Sequence, residues 1–204
     1  MLSPVAVATW ISICTPWAEP RLLAALVTAG SGGQPFMVSA GTDQAYIGKS
    51  QADAIRYFRQ LKPTGEVYLG LTQIPLSKLT ALGIHPETAL ETCGNLEIGY
   101  HLFNTAHEQA EKSEKSPWKT TSVAYSIYRT GQIVVDSPFG KRATDFLMKS
   151  EVIHPASINS MLRHSIMAEW SAGIASRQAS RHTRPRLAPL LESAAIAEWA
   201  RNHY

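Results

Sequence analysis

A mostly helical fold with a small β or loop excursion is the class this sequence predicts. Three observations predict it. Apolar residues recur at helical spacing through most of residues 4–149. The segments that carry them open at Ser or Pro and close near Gly or Pro, the residues that start and stop helices. Only residues 34–48 show short apolar alternation, interrupted by Gly41-Thr42-Asp43, so strands or loop are expected there and nowhere else.

The elements follow in order. Ser3-Pro4 starts a helix that is expected to bury Val5, Ala8, Ile11 and Trp10. Residues 19–29 form the next, with Pro20 in its first turn and Leu22, Leu23, Leu26 and Val27 inside; Gly30-Ser31-Gly32-Gly33 ends it. After the excursion, Ser50 caps a helix to Leu61 with Ala54, Ile55, Phe58 and Leu61 on one face, and Lys62-Pro63-Thr64-Gly65 turns the chain. Tyr68–Pro75 is a compact apolar stretch around two polar groups. Leu76–Leu82 is helical, and Pro86–Leu90 is a single helical turn. Asn95–Ala110 is a long helix with Leu96, Gly99, Leu102, Phe103 and Ala106 inside, followed by a charged loop at 111–117. Trp118–Tyr128 is helical up to Thr130-Gly131, and 136–149 is the last helix of the body.

The chain has 204 residues, 45% apolar and 17% charged, enough for one domain with its own core and an appendage. Residues 1–150 form the body and 151–204 a basic, partly disordered extension in which Leu187–Ala200 makes a short amphipathic helix. Charge divides the same way. Residues 1–140 hold 10 Lys/Arg against 11 Asp/Glu, and residues 141–204 hold 9 against 5. The net charge of +3 is too weak to point to nucleic acid, and Arg177, Arg181, Arg184 and Arg186 lack interleaved aromatics, so no nucleic-acid partner is expected. No stretch approaches the ~20 apolar residues of a membrane span. Met1–Trp17 carries no charged side chain, and its apolar run Val5–Cys14 lacks the basic start of a secretory signal.

Few residues combine into chemistry on spacing alone. His101 and His107 stand six apart on one helix, where a shared metal face needs three or four, and His85 is remote; no metal site is expected. Gly30-Ser31-Gly32-Gly33 follows a helix and has no Lys, so it is not a phosphate-binding loop, and no Gly-x-Ser-x-Gly elbow occurs. Cys14 and Cys93 are either two core thiols or one disulfide, which would place the chain in an oxidising compartment.

Four short motifs stand in a fixed order: the helix ending in Ala29-Gly30-Ser31-Gly32-Gly33-Gln34-Pro35, then Gly70-Leu71-Thr72-Gln73-Ile74, then Cys93-Gly94-Asn95-Leu96 with Gly99 on the same helix, then Ala124-Tyr125. This order resembles the lysozyme-like lytic transglycosylases attached to type IV secretion and conjugation systems, whose pattern is Glu-Ser-Gly-Gly-x-Pro, Gly-Leu-x-Gln-Ile, Cys-x-Asn-Leu with a helical Gly, and Ala-Tyr. The resemblance spans about residues 5–150.

The resemblance implies an α+β lysozyme-like body, peptidoglycan strands as substrate, and secretion or conjugation components as partners, with no cofactor. In active relatives one Glu protonates the glycosidic oxygen between N-acetylmuramic acid and N-acetylglucosamine. It then serves as base for the sugar's own 6-hydroxyl, giving a 1,6-anhydro product without water. Such a carboxyl must start neutral, in an apolar cleft that raises its pKa. The position of that Glu is Gly30 in this chain. Glu19, Glu66 and Asp43 are the carboxyls that remain to be placed against the cleft. Ser31 is expected to hydrogen-bond a sugar, Gln73 to hold an acetamido group from the opposite wall, and Tyr125 to line the floor; otherwise they serve as helix cap, turn amide and core aromatic. The family also implies a Cys14–Cys93 disulfide, a periplasmic location, and a C-terminal extension that contacts other secretion components.

Overall fold

The computed structural model describes residues 1–41, 44–63, 65–114 and 116–149. The expected extension at 151–204, its helix at 187–200, and Asp43 lie outside the described residues. Among the described residues there are seven α-helices: α1 (Pro4–Cys14), α2 (Pro20–Gly30), α3 (Gln51–Gln60), α4 (Leu76–Leu82), α5 (Thr92–Ser113), α6 (Pro117–Thr130) and α7 (Pro138–Lys149). A 3-10 turn at Pro86–Leu90 precedes α5.

Local chemistry explains the ends. The Ser3 hydroxyl accepts from the Ala6 amide ahead of Pro4, and the Ser50 hydroxyl accepts from the Asp53 amide. Glu19 caps α2 with both carboxylate oxygens, on the amides of Arg21 and Leu22. Gly131 stops α6 in the left-handed conformation, φ +73°. On α1, Ile11 is buried and Trp10 packs against the core as expected, but Val5 is 40% exposed, and Val7, Thr9 and Cys14 complete the buried face. Cys14 is bonded to Cys93, and that tether, with the 4-3 spacing leading up to it, sets which side of the helix faces inward. The loop expected at 111–117 is also shorter than its charge suggested, because α5 continues to Ser113.

The sheet is larger than the excursion at 34–48 accounts for. β1 (Met37–Ala40) and β2 (Gln44–Ile47) pair within it, and β3 (Val67–Leu69) and β4 (Ile74–Pro75) are added from the 68–75 stretch. The order is β2-β1-β3-β4, antiparallel throughout, with Val38 opposite Leu69, Ser39 opposite Tyr68 and Tyr68 opposite Pro75.

Two cores result. The larger joins α1, α2, α5, α6 and α7 around Leu23, Leu26, Phe103, Tyr125 and Tyr128. The smaller lies on one face of the sheet under α3 and α4, around Val38, Leu69, Ile74 and Leu79. Helix α5 belongs to both, giving Leu96 and Phe103 to the first and Ile98 to the second. The Cys14–Cys93 disulfide joins the end of α1 to the start of α5 across a sequence separation of 79. Among the described residues no helix is long and apolar enough to cross a membrane.

Candidate functional site

Three of the four motifs, far apart in sequence, meet at one short loop, Gly70–Gln73, between β3 and β4. Gly70 has φ +74°, and a side chain there would run into the Ala89 carbonyl and the Asn95 amide. Asn95, buried in the first turn of α5, closes around this loop. Its Oδ1 accepts from the Thr72 amide (2.7 Å) and the Thr72 hydroxyl (2.8 Å), and its Nδ2 donates to the carbonyls of Leu69 (2.9 Å) and Ala89 (2.6 Å). One turn on, Gly99 lets α5 come against Thr72: a Cβ at 99 would sit 2.9 Å from the Thr72 Cβ. From the other side, the Tyr128 hydroxyl donates to the Thr72 carbonyl at 3.1 Å. Burial pushes that phenol's pKa up.

Gln73 carries a left-handed backbone, φ +54°, uncommon for a residue with a side chain. Its amide compensates with three hydrogen bonds. Nε2 donates to the carbonyls of Gly70 (2.9 Å) and Met37 (3.3 Å), and Oε1 accepts from the Ser39 hydroxyl (2.5 Å).

Position 30 completes the arrangement. Gly30 is the last residue of α2 and is half-buried. A Cβ there would lie 3.2 Å from the Thr72 carbonyl oxygen and 3.3 Å from Gln73 Cγ. Position 30 is therefore walled by the same loop that Asn95, Gly99 and Tyr128 hold.

The three residues expected to face a glycan are engaged within the protein. The Ser31 hydroxyl accepts from the amides of Gly33 (3.2 Å) and Gln34 (3.1 Å) and shapes the turn after α2. Gln73 is 1% exposed, spent on the inner strand β1 and its own loop. Tyr125 is fully buried against Phe103 and Phe139, and its hydroxyl donates to the Leu22 carbonyl at 2.7 Å, tying α6 to α2. Its pKa lies well above the ordinary tyrosine value because the phenolate would be desolvated. Tyr128, three residues along the same helix, is the tyrosine that reaches the loop; in the sequence it marked only the end of a helix.

The remaining candidate carboxyls are committed elsewhere. Glu19 caps the opposite end of α2, eleven residues and about 16 Å of helix from Gly30. Glu66 accepts from both the amide and the hydroxyl of Ser77 at the start of α4. It stands three residues before Leu69, about 10 Å along the strand from the Ile74 partner of Leu69.

The face of the sheet turned away from the smaller core carries Ser39 and, opposite it, Tyr68. Over Tyr68 lies the Arg129 guanidinium, 3.2 Å from the ring centroid. Beside it, Lys78 Nζ donates to the Ile127 carbonyl at 3.0 Å and sits 5.5 Å from the Tyr128 ring. Burial draws the Lys78 pKa down to about 8, with Glu66 opposing the shift. Among the described residues no group of three His, Cys, Asp or Glu side chains is placed to hold a metal ion.

Comparison with protein-family models, curated proteins and solved structures finds no match to this chain.

Proposed function

We propose that this protein is a lysozyme-like, transglycosylase-type protein that lays a peptidoglycan strand beside the end of α2, and that in its present sequence it binds the strand without cutting it. The observation that carries this reading is the meeting of three of the four motifs: Gly30 and, on α5, Asn95 and Gly99 all meet the Gly70–Gln73 loop, while Tyr125 of the fourth motif is held at Leu22. Three short motifs with no structural relation would not be expected to share one anchoring point. The division into a larger helical core and a smaller sheet-based core, with position 30 at the end of a helix beside the sheet, supports a lysozyme-like body. The Cys14–Cys93 disulfide supports an oxidising compartment, here the periplasm, and service to a type IV secretion or conjugation apparatus.

Catalysis in this frame requires a proton donor at position 30, and glycine has none. Loss of a general acid–base group typically costs 10²–10⁴ in rate. Glu19 and Glu66 are held away from the position by their own hydrogen bonds. A glutamate at 30 would need its neighbours to give by only a few tenths of an ångström, since its Cβ contacts would be 3.2–3.3 Å and the backbone there is helical.

The test is product analysis on purified peptidoglycan, with the unaltered chain beside Gly30→Glu. Release of 1,6-anhydro-muropeptides by Gly30→Glu alone, with the unaltered chain cosedimenting with sacculi, is the expected result. Product from the unaltered chain overturns the non-cutting reading, and absence of both binding and product overturns the glycan reading.

A further inference from the structure

Among the described residues, Arg129 is a strongly cationic group whose surroundings the fold and the proposed function leave unexplained. Its guanidinium carbon lies over the Tyr68 ring, 3.2 Å from the centroid, and 5.6 Å from the Phe139 centroid, so two aromatic rings hold it in place. Its Nη1 is buried and has no hydrogen-bond partner among the described residues. An unmatched buried donor on a charged group is costly, and sites that keep one commonly keep it for a ligand. The nearby charges do not neutralise it. Lys78 is close enough for its ammonium to lie over Tyr128. Arg142 lies over Phe139 and disfavours the Arg129 charge. Glu66, held by the amide and hydroxyl of Ser77, is the carboxylate that favours the charge of both Lys78 and Arg129. Lys78, Arg129 and Arg142 are three cations against that one carboxylate, so the cluster is net positive.

Its position matters as much as its charge. Tyr68 stands opposite Ser39, and Ser39 holds Gln73, which walls position 30. Arg129 follows Tyr128, whose hydroxyl holds the same loop. The guanidinium and position 30 are thus linked through Tyr68, Ser39 and Gln73.

We propose that Arg129, stacked on Tyr68 and flanked by Lys78, is a carboxylate-binding subsite that selects muramyl units by their acidic substituent. This rests on the peptidoglycan reading above. The shared chemistry is a carboxylate on the muramyl residue. Its source is either the lactyl group of a strand stripped of peptide or an acidic group of the attached peptide. A planar guanidinium fixed by aromatic stacking suits a carboxylate, which accepts two parallel N–H bonds.

The test measures binding of the full chain to three probes: glycan strands from amidase-treated peptidoglycan, intact peptidoglycan fragments, and neutral chitin oligosaccharides. Arg129→Gln is expected to weaken the acidic probes about tenfold, the loss of one charge-assisted hydrogen-bonded contact, and chitin less than about twofold. A second arm needs no variant: amidation of the ligand carboxylates with methylamine should weaken binding of the unaltered chain to the same extent. Loss on amidated stripped strands assigns the lactyl carboxylate, and loss confined to amidated intact fragments assigns the peptide. Equal loss for chitin and acidic strands, or tight binding indifferent to amidation, overturns the subsite while leaving the glycan reading standing. Failure to bind any of the three probes overturns both.

Discussion

Replacing Asn95 probes the joint on which the site is built. The side chain is 1% exposed and makes four hydrogen bonds, two as acceptor to Thr72 and two as donor to Leu69 and Ala89. At about 1 kcal/mol net per bond, Asn95→Ala should lose about 4 kcal/mol, reduced to about 3 if water enters the vacated space and recovers part. Asn95→Asp is the sharper perturbation, because its size is unchanged. One oxygen keeps the Thr72 contacts, and the other is set against the carbonyls of Leu69 and Ala89, which now face a negative acceptor at 2.9 and 2.6 Å. At pH 7 Asn95→Asp should therefore be at least as destabilised as Asn95→Ala. Burial and the facing carbonyls raise the folded-state pKa of the introduced carboxyl above its unfolded value near 3.9. A raised folded pKa gives stability that is present below the unfolded pKa and lost as pH rises through the folded one. The Asp variant should accordingly recover toward the unaltered chain on acidification, while the gap for Asn95→Ala stays flat. Urea unfolding followed by far-UV circular dichroism, repeated between about pH 4 and pH 7, reads both effects. A loss below about 1 kcal/mol for Asn95→Ala, or an Asp variant whose deficit ignores pH, would refute the account of Asn95 as the clamp of the loop.

Three further outcomes are expected. Reduction of Cys14–Cys93 should cost about 4.5 kcal/mol in the chain-entropy treatment for a separation of 79 residues, measured as the difference in unfolding free energy with and without dithiothreitol; a difference under 1 kcal/mol contradicts it. Gly99→Ala should destabilise by about 1–3 kcal/mol although alanine is the better helix former, because its Cβ meets Thr72 at 2.9 Å; a stabilised variant in thermal melts would show that α5 does not press on the loop. Lys78 falls from 10.5 to about 8 on folding, so between those values the unfolded chain binds more protons and stability should rise with pH. Lys78→Met should flatten that rise in a stability profile from pH 7.5 to 10; an unchanged slope places the titration elsewhere.

Helix positions were legible in the sequence wherever a cap and a repeating apolar face coincide. Ser50 with Ala54, and Leu76–Leu82 ending at the left-handed Gly83, are such cases. The face of α1 was misjudged at Val5, because the register of an almost wholly apolar helix is not encoded by its own pattern; the disulfide partner on α5 decides it. The candidate site was legible as a set of motifs and not as a set of roles. Ser31, Gln73 and Tyr125 carry groups suited equally to a ligand or to the backbone, and the choice depends on which carbonyls and amides lie within hydrogen-bonding reach after folding. Tyr125 and Tyr128 lie on one helix with the same chemistry, yet one meets Leu22 and the other Thr72.

By itself, then, the sequence determined the helical class, most helix starts and stops, and the order of the motifs, because capping, glycine conformational freedom and 3.6-residue periodicity act over a few neighbouring residues. Tertiary structure alone decided the four-stranded sheet, since β3 and β4 have only three and two residues and exist through hydrogen bonds to distant partners. It also decided the clamp of Asn95 on residues 69–72 and the stacking of Arg129 on Tyr68, which join residues 23–61 positions apart. Such contacts form only after two separate cores have closed around α5, and no local pattern can encode a distance that the rest of the chain must first create.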